Sequence, residues 1–170
     1  MTLADNSAQC NNELFEPLPL PDIDLPSDAI IAEELRTPFA LTKEHKEDFK
    51  RNGFVKLANV FTPGAVIRLR QELIKLLRET FNTSLDGGVR NRFLSLEMAW
   101  LDNPLVRGYV LSPRIGRICS DLLNVPSVRL YHDNILSKEP GCGRTPWHYD
   151  DHHFPLATDD VVTAWIPAQP

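Results

Sequence analysis

The chain has 170 residues, 42% of them apolar and 24% charged, enough for one domain with a core and too apolar for disorder throughout. A formal net charge of −5, with its cations scattered rather than clustered, leaves no basic surface for a phosphate backbone and argues against a nucleic-acid partner. Met1 to Asn12 lacks a basic segment followed by an apolar run, and nothing approaches the roughly 18 to 20 consecutive apolar residues of a membrane span, so a cytoplasmic protein with no membrane partner is expected.

In chain order, residues 1–40 carry Pro17, Pro19, Pro21, Pro26 and Pro38 among acidic residues, which predicts an extended, proline-rich arm. The remaining residues, 41–170, read as one domain. Thr42 is the expected N-cap of a short charged helix that runs to Arg51 and is stopped by Asn52-Gly53. Phe54, Val55, Leu57 and Val60 then read as a short strand. Thr62-Pro63 opens the strongest helix, with Val66, Leu69, Leu73, Leu76 and Leu77 at helical spacing as far as Phe81. The stripe predicts that this helix packs on the outer face of a sheet.

Residues 82–92 read as a loop. Asn103-Pro104 and Ser112-Pro113 each open a further helix, the second lined by Ile115, Ile118, Leu122 and Leu123, and both are expected to pack on the first long one. After Pro126 the pattern turns to β, through Val128, Leu130 and Ile135-Leu136, and is broken at 140–143. Trp147 to Asp150 and Val161 to Ile166 read as two more extended segments. Helices precede strands, an α+β order. Cys10, Cys119 and Cys142 are odd in number and lack C-x-x-C spacing, which speaks for reduced thiols rather than a disulfide framework or a zinc knuckle.

The densest group of metal-capable side chains is His148-Tyr149-Asp150-Asp151-His152-His153. Alternation along a strand would point His148 and Asp150 the same way, so that an imidazole nitrogen and a carboxylate oxygen meet one ion. An isolated His-x-Asp is a weak signal, since most such pairs are solvated loop residues, and His152 and His153 read more readily as surface or packing residues. A zinc hydrolase box drawn from His148, Asp150, His152 and His153 has aspartate where its second histidine belongs.

The wider context is more specific. Gly53-Phe54-Val55, Tyr131 to Lys138, Pro146-Trp147-His148-Tyr149-Asp150 and Thr163-Ala164-Trp165-Ile166-Pro167 occur in an order and spacing that resembles the phytanoyl-CoA dioxygenase family, over about residues 43–167. The resemblance implies a partial double-stranded β-helix, a cupin-like jelly roll, with N-terminal helices packed on one sheet. It implies iron(II) bound by His148 and Asp150, 2-oxoglutarate as cosubstrate contacted by Asn134, Trp165 and Ser95, and ascorbate as reductant. It implies oxidation of a small molecule; with no lysine or arginine cluster to hold the phosphates of coenzyme A, a small hydrophobic intermediate of secondary metabolism is the expected substrate.

Taken on their own, Trp165 reads equally as a core residue and Asn134 as a side chain serving neighbouring backbone. The family's second histidine ligand and its cosubstrate arginine lie beyond the Ala-Trp-Ile segment, where this sequence ends. Two expectations follow: an incomplete iron site with little turnover of 2-oxoglutarate, and open sheet edges that a second copy or a partner chain covers. The competing reading is therefore a catalytically inactive dioxygenase-like fragment that binds a partner.

Overall fold

The computed structural model describes residues 23–81, 93–139, 141–148, 150 and 154–169. Over these it is an α+β arrangement of five α-helices, a short 3₁₀ turn at Ala99–Leu101 and one antiparallel pair of strands. None of its helices is long and apolar enough to cross a membrane.

The first helix, α1 (Asp28–Arg36), lies inside the stretch expected to be extended, and corrects that reading for its last part. The prolines flank it rather than enter it. Ser27 caps it, accepting a hydrogen bond from the Ile30 amide at 3.4 Å, and Ile31 and Leu35, one turn apart, are 1% and 5% exposed. Residues 1–22 lie outside the described residues. Helix α2 (Lys43–Asn52) has the expected Thr42 cap in reciprocal form: the His45 amide donates to the Thr42 hydroxyl and the Thr42 amide to His45 Nδ1, both at 3.2 Å. Gly53 ends it in the left-handed region, φ 76°. Residues 54–60 form no strand, because their backbone finds no ladder partner among the described residues, and a turn at 58–59 interrupts the run.

Helix α3 (Pro63–Phe81) is the longest and joins two cores. Its N-terminal half places Ala65 and Leu69 against Ile31, Leu35, Phe61 and Tyr109, while Leu77, flanked by Leu73, Leu76 and Phe81, packs on Leu94, Ala99, Val106 and Ile135. The anticipated stripe is thus displaced: Val66, Leu73 and Leu76 are half-buried, and Ala65, Ile67 and Arg70 are buried beside Leu69 and Leu77. Because the helix meets partners on two sides along its length, its buried surface is wider than one seam.

The start of α3 is gripped by α1. The Thr62 amide and hydroxyl donate to the two carboxylate oxygens of Glu34 at 2.7 and 2.8 Å. Arg114, 3.7 Å from the same carboxylate, donates to the carbonyls of Thr37 and Val60, and both charged side chains are 11% exposed. Glu34→Ala should therefore cost about 3 kcal/mol, as it strips Arg114 of its counter-charge and Thr62 of its acceptor. Glu34→Gln, which keeps one acceptor, should cost about half as much in the same urea titration.

Helices α4 (Pro104–Val110) and α5 (Pro113–Leu123) start at the expected Asn-Pro and Ser-Pro junctions, with Asn103 and Ser112 accepting from the Val106 and Ile115 amides at 2.9 and 3.2 Å. α4 packs on α3 as anticipated, whereas α5 lies chiefly against α1 and α2. Tyr109, 1% exposed, stacks edge-on against Phe61 at 5.3 Å and donates its hydroxyl to the Ala65 carbonyl at 2.7 Å; burial, and then the Glu34 charge, hold its phenol far above the usual range. Cys119 is buried, which pushes its thiol up and keeps it unreactive, and Cys142 is free. Cys10 lies outside the described residues.

Asn103 also donates from its amide to Glu72 at 2.8 Å, and this bond, ahead of the charges of Lys75 and Arg68, holds the Glu72 carboxyl below its ordinary value. A lowered folded value means stabilisation that is present above the ordinary glutamate range, about pH 4.3, and is lost as pH falls through the folded value. Asn103→Asp keeps the cap but sets a second carboxylate against Glu72. It should lower stability by about 1 kcal/mol at neutral pH, a deficit that shrinks in acid as one of the two carboxyls takes a proton and donates again, measured by denaturant titration at both pH values.

The strands β1 (Phe93–Glu97) and β2 (Asn134–Lys138) pair antiparallel, Phe93 opposite Lys138 and Glu97 opposite Asn134. Leu94 and Ile135 are buried on one face, packed against α3 and α4, while Phe93, Ser95, Glu97, Asn134, Leu136 and Lys138 line an exposed face. β1 was not anticipated, and β2 corresponds to the Ile135-Leu136 part of the expected β region. Residues 128–130, 147–148 and 161–166 are not strands, again for want of a paired neighbour among the described residues.

Candidate functional site

Ser95 and Asn134 are 39 residues apart in sequence, and the strand register brings them together as a diagonal pair on the exposed face. The Ser95 hydroxyl donates to the Asn134 side-chain oxygen at 3.0 Å. With its oxygen accepting this bond, the Asn134 amide keeps its NH₂ as the group that can donate. The same strand pair is pinned at its end by Asp133, whose carbonyl accepts from the Met98 amide at 3.1 Å and whose carboxylate accepts from the Trp100 amide at 3.3 Å.

His148 and Asp150 do converge, though not by strand alternation. The Asp150 carbonyl accepts from the Phe154 amide at 3.1 Å, and His148 Nε2 lies 3.6 Å from Asp150 Oδ1 in a segment that joins no strand ladder among the described residues. That distance is too long for a strong hydrogen bond and near the roughly 3 Å that separates two cis ligands of one octahedral ion. His148 Nδ1 lies 2.8 Å from the Pro146 carbonyl. A proton on Nδ1 donates there and leaves the Nε2 lone pair facing the carboxylate, the arrangement by which a backbone carbonyl fixes the tautomer of a ligating histidine. The other carboxylate oxygen of Asp150 accepts from the Thr163 hydroxyl at 3.1 Å, a contact that sequence reasoning missed although Thr163 stands two residues before Trp165.

Both side chains are open to water, His148 61% and Asp150 42% exposed, as an ordinary surface pair would also be. Among the described residues no third His, Cys, Asp or Glu joins them. His152 and His153, and with them the hydrolase-like box, lie outside the described residues. Trp165 is 76% exposed and so is not the core residue it resembles in sequence.

The two pairs share no hydrogen bond or ion pair among the described residues, but a cluster of rings spans between their segments. Tyr131 and His132, just before β2, meet Phe154, just after the His-x-Asp segment, at centroid distances of 5.3 and 5.2 Å, each edge to face. They line a cleft of about 310 Å³ together with Glu97 and Met98.

The phytanoyl-CoA dioxygenase family profile matches residues 49–169, and the chain belongs to that family. Among curated proteins it is similar to peroxisomal phytanoyl-CoA dioxygenase of Mus musculus, 24% identical over 142 residues, and to that of Homo sapiens, 25% identical over 143. Each match covers 74% of this chain and 42% of the relative, so the chain spans about two-fifths of the length of the curated proteins it matches. No solved structure matches it.

Proposed function

We propose that this chain is part of an iron(II)- and 2-oxoglutarate-dependent oxygenase that oxidises a small molecule in the cytoplasm, and that His148 and Asp150 are two of its metal ligands. The observation that carries the reading is the convergence of His148 Nε2 and Asp150 Oδ1 in a chain of this family, each held from behind by a second group. An imidazole and a carboxylate form the donor set that suits iron(II) while leaving other positions open. Bound there with the cosubstrate, iron would supply the oxidising chemistry.

The protein's own part is to present and orient. The Pro146 carbonyl holds the proton of His148 on Nδ1, and Thr163 turns the carboxylate of Asp150 towards the imidazole. Ser95 occupies the Asn134 oxygen and leaves the NH₂ as a donor suited to a carboxylate oxygen of 2-oxoglutarate. The exposed ring of Trp165 is assigned to the same cosubstrate. The β1–β2 face that carries Ser95 and Asn134 becomes, in this reading, the inner face of a jelly roll whose outer face is covered by α3 and α4.

The test is anaerobic addition of iron(II) and 2-oxoglutarate, followed by the visible absorption of their complex on the protein. The colour should develop with the parent chain and fail with His148→Ala. An unchanged spectrum in that variant would remove the assignment.

A further inference from the structure

Beside the metal pair lies the cleft of about 310 Å³ formed by Glu97, Met98, Tyr131, His132 and Phe154, whose chemistry neither the ligands nor the cosubstrate residues use. Its volume is at the lower end of small-molecule sites. Phe154 belongs to both places, since its ring is a wall of the cleft and its amide bonds the carbonyl of Asp150 at 3.1 Å. A molecule seated here lies against Phe154, whose amide is bonded to the residue that carries the carboxylate.

The lining sets one carboxylate, Glu97, beside three rings, one of them the imidazole of His132. Three rings, Tyr131, His132 and Phe154, pack edge to face on one another at 5.2 to 5.3 Å and form an aromatic wall. The electron-rich face of such rings attracts a cation. Glu97 closes the rim with a carboxylate that enters no ion pair among the described residues, and the sheet's own cation is turned elsewhere: Lys138 sits at the opposite end of the strand pair, over Phe93 at 5.8 Å. Met98, which adds a polarizable thioether, holds its backbone at φ 60°, a conformation uncommon for a side chain of its size and fixed by its bond to the Asp133 carbonyl. A carboxylate in the same cleft as aromatic rings repels phosphates and carboxylates and favours a positive centre with apolar substituents.

Resting on the oxygenase reading, we infer that this cleft recognises the substrate through a cationic amine or quaternary ammonium group set on an otherwise small, apolar molecule. Placing the cation between Glu97 and the rings positions the rest of the molecule beside the His148–Asp150 pair. A coenzyme A thioester, with its phosphates, does not suit such a rim.

The experiment uses the full chain, with choline as probe and, as control, the uncharged isostere in which a tert-butyl group replaces the trimethylammonium. Binding is followed by protein-observed NMR. Choline should bind at least ~5-fold more tightly than its isostere, as the cation–π and carboxylate terms require. Glu97→Gln, a change at an exposed position that leaves the core untouched, should abolish that preference, and Phe154→Leu should weaken choline binding. Equal binding of the two probes, no binding of either, or an undiminished preference in Glu97→Gln overturns the inference. Iron binding is measured separately on the same samples: if iron is held by the parent chain and lost in Asp150→Ala while choline fails to bind, the oxygenase reading stands and the cation site falls. If choline binds with the expected preference to a chain that holds no iron, the cation site stands and the oxygenase reading falls.

Discussion

Leu94→Ala should destabilise the chain by about 4 kcal/mol in urea titration, whereas Phe93→Ala, its neighbour, should change stability by no more than about 0.5 kcal/mol. Leu94 is 2% exposed and packs with Leu77 of α3, Val106 of α4, Ala99 and Ile135; Phe93 is 52% exposed on the opposite face. The contrast is a test of register, because a slip of one residue would exchange the two faces and with them the two results. The expected loss is large for a second reason. Two strands alone are marginal in water, and β1 and β2 persist through what their buried face gains from the helices. Removing the Leu94 side chain weakens the contact that holds Ser95 and Asn134 in place, so the variant should also lose order at both residues, visible as faster amide exchange along β2.

Where the helices begin was legible because the signals are local. Thr62-Pro63, Asn103-Pro104 and Ser112-Pro113 each combine a capping side chain with a proline at the first turn, and each does open a helix. Helix α1 carried the same kind of signal in Ser27 and the Ile31/Leu35 spacing, but the prolines on either side outweighed it in a reading by composition. Strands depend on partners distant in sequence. Val161 to Ile166 has the composition of a strand and no ladder among the described residues, while Phe93-Leu94-Ser95-Leu96-Glu97 is a strand only through its pairing with β2. The site divides along the same line. The His148–Asp150 spacing points to two residues whose side chains lie 3.6 Å apart. Ser95 and Asn134 were named separately, and only the antiparallel register makes them a pair. Thr163, Tyr131 and His132 stand in the segments that carry the family resemblance, but what they do, like what Glu97 and Phe154 do, depends on contacts distant in sequence, 13 residues apart for Thr163 and Asp150.

Asp150→Ala should weaken iron(II) binding by at least ~100-fold while leaving folding stability within about 0.5 kcal/mol, because its carboxylate is 42% exposed and outside both hydrophobic clusters. The magnitude follows from the donor set. Among the described residues the ion would meet His148 Nε2 and Asp150 Oδ1, so deleting the carboxylate removes one donor of this pair and its negative charge. Thr163→Val separates this from a general effect of disturbing the segment. It keeps both ligands and deletes one hydrogen bond to Asp150 Oδ2, so it should fall between the parent and Asp150→Ala, about 10-fold weaker than the parent, as loss of an outer partner does elsewhere. Calorimetric titration under nitrogen gives all three values. If Asp150→Ala binds iron as the parent does, the carboxylate is a solvated surface group and the metal, if it binds at all, is held elsewhere. If Thr163→Val loses as much as Asp150→Ala, the segment itself has collapsed and neither result speaks for ligation; circular dichroism and the amide signals of Phe154 and Thr163 distinguish that case. A graded series with the fold intact identifies Asp150 as the ligand and Thr163 as the residue that aims it.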